Sequence, residues 1–243
     1  MAIRLVGLQK TTLIDFPGEV AATVFLPGCN LRCPYCQNPD LVVPPFPPDL
    51  VSIEELTRFL NKRKNVLGGV CISGGEPLIH KDLPDLIHLI RDTGLKVKID
   101  TNGSMPGDLS ALLAKEQIDY VAMDIKTAPR KYIQLLAGKK SIQPPLPDSI
   151  CRSIRCIVQS GISHEFRTTV VPGIVTKDDV REIAGLIQGA GLYVLAGFQA
   201  GKTLNPAYET VDPYPLAVLE EMKEIVEKLG IPCKLRPNLP VSS

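Results

Sequence analysis

The sequence predicts an α/β fold built as a partial, open βα barrel with six to seven parallel strands. Short apolar runs alternate with amphipathic helical patterns along the 243 residues, which is typical of repeated βα units around a parallel sheet. Eight such units are needed to close a complete barrel, so six or seven indicate an incomplete one. Because the alternation continues without a break, we expect residues 1–243 to form a single domain.

The predicted strands are short apolar runs bounded by loop residues. They are Ala21–Leu26, Gly69–Ile72, Val97–Ile99, Tyr120–Met123, Glu165–Val170 and Tyr193–Gly197, with a seventh at Pro232–Leu235. Helical patterns separate these runs, so the sheet is expected to be parallel.

Helical periodicity and capping residues place the helices between these strands. The first helix begins at the capping pair Ser52 and Glu55, because serine followed three residues later by glutamate satisfies two backbone donors. Gly94 is placed to end the second helix in a left-handed cap. The later helices are predicted at Ser149–Ser160, Lys177–Gln188 and Leu216–Leu229.

Three cysteines, Cys29, Cys33 and Cys36, follow the first predicted strand with the spacing C-x3-C-x2-C. Three thiolates this close in sequence can each bind one iron of a cubic four-iron cluster, which ordinarily has four cysteine ligands. One iron is then open, and it can bind a chelating cofactor.

Zinc binding and disulfide formation are the two other uses of these cysteines. A structural zinc site needs a fourth ligand, usually from a second ligand pair, and none of the histidines His80, His88 and His164 is near the triplet. Disulfides are disfavoured because seven cysteines is an odd number, the chain is long enough to form its own core, and no apolar signal segment precedes the first strand. An iron–sulfur or zinc module for redox sensing or assembly is the non-enzyme alternative.

Polar motifs also follow the next three predicted strands. They are Ser73–Pro77, Asp100–Gly103 and Asp124–Lys126. Parallel βα barrels carry their active sites at the carboxyl ends of the strands, so we expect these motifs and the cysteine loop to form one site.

The glycine pair Gly74 and Gly75 precedes Glu76 in the first of these motifs. Glycine lets the backbone approach a ligand closely because it has no Cβ, and Glu76 can accept a hydrogen bond from an ammonium group. A tight turn into the following helix is the structural alternative.

Asp100 and Asp124 end neighbouring predicted strands, with Thr101 beside them. Two facing carboxylates repel each other unless a cation or a donor lies between them, and oxygen ligands suit sodium, potassium, calcium or magnesium. Helix capping by the two aspartates is the alternative. Lys126 and Arg167 can supply positive charge to a cofactor carboxylate.

The net charge of the chain is +1, which gives no field that would attract nucleic acid or a membrane surface. No apolar run reaches the roughly 18 residues that a membrane-spanning helix needs. We therefore expect a cytoplasmic protein with no nucleic-acid or membrane partner.

The segments Thr12–Gly18 and Val24–Pro39 resemble the opening of glycyl-radical-enzyme activases of the radical S-adenosylmethionine (SAM) superfamily. The resemblance is greatest to the activators of anaerobic ribonucleoside-triphosphate reductase. It continues through the three strand-end motifs and through Arg167 with Val170–Gly173. One departure is Gln37, where many relatives have histidine.

This resemblance implies a radical SAM core in which Cys29, Cys33 and Cys36 hold a [4Fe–4S] cluster and the methionyl end of SAM binds the open iron. The implied cofactor-binding residues are Tyr35, near the adenine, Gly74, Gly75 and Glu76, at the methionyl amino group, and Asp100, Thr101, Asn102, Lys126 and Arg167. The same comparison implies a Na⁺ or K⁺ ion bound by Asp100, Thr101 and Asp124.

The implied reaction is the reductive cleavage of SAM to methionine and a 5'-deoxyadenosyl radical, which takes an α-hydrogen from a glycine of a partner enzyme. No side chain is assigned a catalytic role beyond the cluster and SAM. The implied partners are anaerobic ribonucleotide reductase and a flavodoxin or ferredoxin type electron donor. The alternatives are activation of another glycyl radical enzyme, such as pyruvate formate-lyase, and radical chemistry on a small molecule.

Overall fold

A computed structural model describes residues 3–48, 51–135 and 145–236 of the chain. Within these ranges the strands are β1 Gly7–Thr12, β2 Ala21–Leu26, β3 Gly69–Gly74, β4 Lys96–Thr101, β5 Tyr120–Asp124, β6 Ser163–Val170, β7 Tyr193–Gly197 and β8 Cys233–Arg236. The α-helices are α1 Pro39–Val42, α2 Ile53–Arg63, α3 Leu83–Arg91, α4 Pro106–Ala114, α5 Leu146–Ser160, α6 Lys177–Leu186 and α7 Leu216–Glu227. Short 3₁₀ turns lie at Pro77–Ile79, Pro129–Leu135 and Pro206–Tyr208.

The strands follow one another in a single sheet in the order β1 to β8. Strand β1 is antiparallel to β2, whereas β2–β3, β3–β4, β6–β7 and β7–β8 are parallel pairs. β1 and β8 are the first and last strands of this order, as an open sheet requires. The predicted fold class, an open βα arrangement of mostly parallel strands, is therefore confirmed.

All seven predicted strands are present, and the sequence prediction missed β1, the four-residue helix α1 and helix α4. β1 has the sequence GLQKTT, and three of its six residues are exposed, so this edge strand lacks the apolar run that identifies a buried one. The leucines of helix α4 do have helical spacing, with Leu109 and Leu112 buried, but the alanines between and after them make the helix apolar on several sides and obscure the pattern. Strand β4 also extends to Thr101, so that Asp100 and Thr101 are strand residues rather than loop residues.

The predicted caps are present. Ser52 Oγ accepts a hydrogen bond from the Glu55 amide at 3.1 Å, and the Glu55 carboxylate accepts one from the Ser52 amide at 2.8 Å. Gly94, after α3, has a φ of 83°, a left-handed conformation that glycine adopts without strain. None of the helices in the described ranges is long and apolar enough to span a membrane.

The described part of the chain packs as two compact units. The first unit contains residues 3–31, 38–48, 51–101 and 107–122, and the second contains residues 32–37, 102–106, 123–135 and 145–236. The single domain expected from the sequence remains a prediction.

Candidate cofactor site

In the first unit, the glycine pair at the end of β3, Gly74 and Gly75, packs against the backbone at the start of the cysteine loop. The Gly75 amide donates to the Leu26 carbonyl at 2.9 Å, and the Glu76 amide donates to the Gly28 carbonyl at 2.8 Å. A Cβ on Gly75 would lie 1.8 Å from the Gly28 oxygen, and one on Gly74, whose φ is 124°, would lie 2.2 Å from the Leu26 oxygen. The glycines are therefore required for a close approach of two backbones.

Glu76 is fully buried and already bonded within the first unit. Its Oε1 accepts hydrogen bonds from the Thr101 hydroxyl at 2.8 Å and from the Leu78 amide at 3.1 Å. The second bond caps the 3₁₀ turn Pro77–Ile79. These bonds fix the carboxylate in one orientation, which is a suitable preparation for receiving the amino group of a cofactor, although that role remains a prediction.

His80 contacts the cysteine loop, although its distance from the loop in sequence gave it no predicted role. Its Nε2 lies 2.8 Å from the Pro27 carbonyl oxygen, and because a carbonyl can only accept, Nε2 must carry the hydrogen. Burial lowers the pKa of His80 below its usual value, against the opposing effect of the Pro27 carbonyl. His80 thus anchors the residue two positions before Cys29.

Asp100, at the end of β4, has a cationic partner on its own strand. One carboxylate oxygen forms an ion pair with Lys98 Nζ, and the other accepts a hydrogen bond from the Ser73 hydroxyl at 3.2 Å. The sequence prediction missed Lys98, although the pattern Lys-x-Asp in a strand places both side chains on one face. Helix capping was the alternative considered for Asp100, but these two bonds join it to side chains of strands and not to the amides of a helix.

The cysteine loop divides between the two units after Leu31. All seven cysteines are free thiols. In the first unit, Cys29 Sγ is half-buried and accepts a hydrogen bond from the Leu31 amide at 3.4 Å. In the second unit, the Cys36 amide donates to the Cys33 carbonyl at 3.0 Å, which closes a tight turn between these two cysteines.

A later segment of the second unit is bonded to this turn. The Leu204 amide donates to the Cys36 carbonyl at 3.0 Å, and the Asn205 amide donates to the Pro34 carbonyl at 2.8 Å. A cavity of about 490 Å³ lies beside these contacts, with Arg32, Pro34, Asn205 and Tyr208 in its wall. The segment after β7 therefore fixes the backbone between the second and third cysteines.

Gln37 adds a third bond to the same segment. Its Nε2 donates to the Gln199 carbonyl at 2.8 Å. Residue 37 is the position at which the chain departs from the histidine of many relatives, and in this structure its side chain serves as a hydrogen-bond donor to the backbone.

Tyr35 is buried and contacts the backbone of Lys126 in the second unit. Its hydroxyl donates to the Lys126 carbonyl at 3.2 Å, while the hydroxyl of Tyr132 accepts from the Lys126 amide at 2.9 Å. Burial raises the pKa of both phenols well above the usual value. The two neutral phenols thus hold the main chain of Lys126 on both sides.

Asp124 at the end of β5 has two cationic partners. Arg167 Nε donates to one carboxylate oxygen at 2.7 Å, and Lys126 Nζ donates to the other at 2.9 Å. Burial disfavours the charged carboxylate, but the two cations outweigh it and hold the pKa of Asp124 below its usual range. Burial also disfavours the Lys126 ammonium, and Asp124 overcomes this and raises the pKa of Lys126.

The remaining predicted contact, Asn102, lies in a turn of the second unit. Its Oδ1 accepts a hydrogen bond from the Ser104 amide at 2.9 Å, and the neighbouring Gly103 carbonyl accepts one from the Ser153 hydroxyl at 2.7 Å. A Cβ on Gly103 would lie 2.1 Å from the terminal methyl of Met123. The fold of this turn alone therefore favours asparagine at position 102, as an acceptor, and glycine at position 103, where a side chain would collide with Met123.

Each unit thus brings part of the predicted set together. The first joins Gly74, Gly75, Glu76, Thr101 and Asp100, and the second joins Cys33, Cys36, Tyr35, Lys126, Asp124 and Arg167. That both sets serve one cofactor remains a prediction.

The donor chemistry of the cysteine loop fits an iron–sulfur cube. Three free thiols on one short loop can each bind a different iron, and the half-buried Cys29 and Cys36 are accessible from outside the chain. Within residues 3–48, 51–135 and 145–236, no three or more His, Cys, Asp or Glu side chains converge on the position of a single metal ion.

Sequence comparison places the chain among known proteins. The model of the Radical SAM superfamily matches residues 23–187. The chain is 28% identical over 223 residues to a protein of Methanocaldococcus jannaschii named as a putative glycyl-radical enzyme activating enzyme, covering 91% of each. It is also 28% identical over 190 residues to the pyruvate formate-lyase-activating enzyme of Clostridium pasteurianum, covering 76% of each.

A shorter match has higher identity. The chain is 35% identical over 133 residues to the 7-carboxy-7-deazaguanine synthase of Methanopyrus kandleri. This match covers 46% of this chain and 51% of that protein.

Solved structures agree on the fold. A radical SAM methyltransferase from Sphaerobacter thermophilus superposes with a TM-score of 0.68 at 16% identity, covering 93% of this chain and 68% of that one. SuiB from Streptococcus suis superposes with a TM-score of 0.64 at 18% identity, covering 88% of this chain and 48% of that one, so the chain spans about half the length of SuiB. At such identities the match establishes the fold alone.

The sequence-based resemblance to radical SAM enzymes and to glycyl-radical-enzyme activases is confirmed by these similarities. The superfamily match implies a [4Fe–4S] cluster and SAM as cofactors. The chain belongs to the radical SAM superfamily.

Proposed function

We propose that this protein is an activase that generates a glycyl radical on a partner enzyme, with anaerobic ribonucleoside-triphosphate reductase as the partner. The observation that carries the activase proposal is the similarity to an activating enzyme along 91% of both chains. The reductase is favoured by the resemblance of Thr12–Gly18 and Val24–Pro39 to the activators of that enzyme.

The proposed cluster ligands are Cys29, Cys33 and Cys36. In support, the turn between Cys33 and Cys36 is fixed by bonds from the segment after β7, and His80 and the Glu76 amide fix the two residues before Cys29. The thiols are thus presented on a backbone that does not have to be ordered when the cluster binds, which reduces the entropic cost of binding.

The proposed SAM contacts are Tyr35, Gly74, Gly75, Glu76, Asp100, Thr101, Asn102, Lys126 and Arg167. When bound, the cluster and SAM supply the radical that takes hydrogen from the partner's glycine. The chain supplies a buried, oriented carboxylate at Glu76 for an ammonium group and fixed positive charge at Lys126 and Arg167 for a carboxylate. Both cations also bind Asp124, so a cofactor carboxylate would share them.

The resemblance also implies a Na⁺ or K⁺ ion at Asp100, Thr101 and Asp124, but both carboxylates already have cationic partners in the chain. Asp100 is paired with Lys98, and Asp124 is paired with Lys126 and Arg167. The Thr101 hydroxyl donates its hydrogen to Glu76. The repulsion that led us to expect a cation is therefore already relieved by cations of the chain.

We further propose a flavodoxin or ferredoxin type electron donor and a cytoplasmic location for the protein. The donor is needed because the proposed reaction consumes one electron for each SAM cleaved. Seven free thiols support a reducing compartment, since disulfides form mainly in oxidising ones.

The proposal is tested by electron paramagnetic resonance. Anaerobically reconstituted and reduced protein is mixed with SAM and, in parallel, with anaerobic ribonucleoside-triphosphate reductase or pyruvate formate-lyase. We expect a glycyl doublet with the reductase, formed together with 5'-deoxyadenosine. A doublet with the lyase alone would show that the protein is an activase but that its partner is pyruvate formate-lyase and not the reductase.

The matched controls are Cys33→Ala and Cys71→Ala. Cys33→Ala is expected to lose the doublet and to lower the iron content, whereas Cys71→Ala removes a buried thiol of β3 that is not in the cysteine loop and is expected to retain four irons. A full four-iron complement in Cys33→Ala would contradict the ligand assignment.

A second candidate is radical chemistry on a small molecule. It is favoured by the 35% identity to a 7-carboxy-7-deazaguanine synthase, which is limited to about half of each chain. This candidate predicts 5'-deoxyadenosine without a doublet on any glycyl radical enzyme, together with a chemically altered small molecule.

A further inference from the structure

Lys98, in β4, is the most unusual residue of the first unit because its side chain has no exposed surface. Its Nζ forms an ion pair with Asp100, lies 3.6 Å from Cys71 Sγ and lies 6.0 Å from the centre of the Tyr120 ring. Lys98 and Asp100 are two residues apart in a strand, so both side chains point to the same face of the sheet.

A buried ammonium is costly unless a counter-charge and hydrogen bonds replace its water. Cys71 is a weak acceptor, and the Tyr120 ring provides only the attraction of an aromatic face. Asp100 is the one anionic contact of Lys98 in the described part of the first unit. The burial of Lys98 is therefore compensated chiefly by its ion pair with Asp100.

The pair is also asymmetric in its exposure. The Asp100 side chain is 17% exposed, whereas Lys98 is 0% exposed. The carboxylate thus lies between the buried ammonium and the outside, with its second oxygen bonded to Ser73. A ligand that reaches Asp100 from outside therefore meets a carboxylate whose negative charge is balanced by the buried Lys98 ammonium on its inner side.

We propose that the Lys98 ammonium is a built-in cation that takes the place of a bound Na⁺ or K⁺ ion at Asp100. Lys98 is then a positioning residue that acts on the cofactor through Asp100. The inference rests on the proposed function in so far as Asp100 belongs to the SAM site.

The contacts of Asp124, another of the expected ion ligands, support this inference. Asp124 receives two cationic side chains, at 2.7 and 2.9 Å. Each of the two carboxylates that would hold the ion thus has a cationic partner within the chain.

The test compares monovalent cations at equal ionic strength. Wild type, Lys98→Met and Lys96→Met are reconstituted anaerobically, and their urea midpoints and SAM dissociation constants are measured in potassium, sodium and tetramethylammonium chloride. Lys96 is the matched control because it lies in the same strand, is exposed and pairs with Glu19 at the surface.

We expect wild type and Lys96→Met to bind SAM equally in the three salts, within about twofold. Lys98→Met is expected to bind SAM about tenfold more weakly in tetramethylammonium than in K⁺ or Na⁺, because a small ion can enter the vacated position and a large one cannot. Its urea midpoint is expected to rise in K⁺ or Na⁺ relative to tetramethylammonium, since an ion that binds only the folded state stabilises it.

Two results would overturn the inference. One is a wild type that loses about tenfold in SAM affinity, or a large part of its urea midpoint, in tetramethylammonium. The other is a Lys98→Met variant that is indifferent to the salt in both measurements. If Lys98→Met does not fold, the wild-type result decides, together with the double variant Lys98→Met/Asp100→Asn, which removes both charges and is expected to fold and to be indifferent to the salt.

This test is separable from that of the proposed function. The urea midpoints need neither SAM nor a partner enzyme, so the inference can fail while the glycyl doublet is observed. Conversely, a missing doublet leaves the salt dependence of Lys98→Met unchanged.

Discussion

The two aspartates of the candidate site are compensated in different ways. Asp100 in the first unit is paired with Lys98, which is completely buried and lies on the same strand. Asp124 in the second unit is paired with both Lys126 and Arg167, which are 21% and 17% exposed and come from different elements. Asp100 therefore depends on one buried cation, whereas Asp124 keeps one cationic partner if the other is lost. We expect the chain to tolerate substitutions around Asp124 better than substitutions around Asp100.

The rest of each unit follows the same contrast. Around Asp100, the backbone of Gly75 and the buried carboxylate of Glu76 leave little room for adjustment. Around Cys36, the contacts are loop hydrogen bonds such as that from Leu204. We expect substitutions around Asp100 to affect stability strongly, and those around Cys36 to act weakly.

The largest effect is expected for Gly75→Ala. The new Cβ would lie 1.8 Å from the Gly28 oxygen, and because both atoms belong to backbone-fixed positions, relief requires the cysteine loop to move. We expect a loss of about 4 kcal/mol or more in the free energy of unfolding by urea. The matched control is Gly107→Ala in α4, where nothing lies within 4 Å of the new Cβ, and a change below about 1 kcal/mol is expected. Equal losses in the two variants would contradict the close-approach argument.

Lys98→Met is expected to be next. Removing one partner of a buried pair leaves the other charge without its counter-ion, at a cost of about 3 kcal/mol. Lys126→Met removes a partly exposed partner and leaves Arg167 on Asp124, so a loss of about 1 kcal/mol is expected. Urea unfolding in tetramethylammonium chloride measures both variants without an ion that could substitute. If Lys126→Met were the more destabilised variant, the contrast between the two carboxylates would be reversed.

The second unit has a fully buried carboxylate of its own, Asp179 in α6. It accepts hydrogen bonds from Arg130 at 2.8 Å and Lys131 at 2.5 Å, and from the Thr176 amide at 2.8 Å. Burial opposes its ionisation, but Lys131 and Thr176 outweigh burial and hold the pKa of Asp179 below its usual value. Its stabilisation is therefore complete above the unfolded pKa of about 3.9 and is lost as the pH falls through the lower folded pKa.

Asp179→Asn tests this directly. The variant is expected to be less stable than wild type at pH 7, and the difference is expected to shrink as the pH falls below about 4. Urea midpoints of the cluster-free protein between pH 7 and pH 3 measure it. A difference that stays constant over this range would show that the charge of Asp179 contributes nothing.

The smallest effect is expected for Gln37→Ala. The substitution removes one exposed hydrogen bond, to the Gln199 carbonyl, which contributes about 0.5 kcal/mol. The bonds from Leu204 and Asn205 remain, so iron content is expected to be unchanged while amide exchange at these two residues becomes faster. Slower or unchanged exchange would show that Gln37 does not help to hold the segment.

The sequence predicted the parallel strands and the capped helices because each has a local signal. The Ser52 and Glu55 pair is one, and the apolar run Tyr193–Gly197 is another. The polar edge strand β1 was missed because its stability comes from pairing with β2 rather than from its own burial.

The sequence predicted which residues belong to the candidate site better than it predicted which residues contact one another there. The cysteine spacing and the strand-end motifs are readable in the sequence, whereas the partners of Asp100 and Asp124 depend on which side chains share a face. The pairing of Lys98 with Asp100 could have been predicted from the pattern Lys-x-Asp, but its burial could not, because lysine is usually exposed. His80 and Leu204 contact the cysteine loop from distant segments, and no local pattern reveals such contacts.

The bonds from Leu204 and Asn205 to the cysteine loop have a consequence for biosynthesis. The cysteines are translated early, but the segment that fixes the turn between Cys33 and Cys36 leaves the ribosome much later. Until then the nascent thiols are carried on a loop that lacks its final bonds. The turn between Cys33 and Cys36 therefore acquires its final hydrogen bonds only after residues 204 and 205 have emerged from the ribosome.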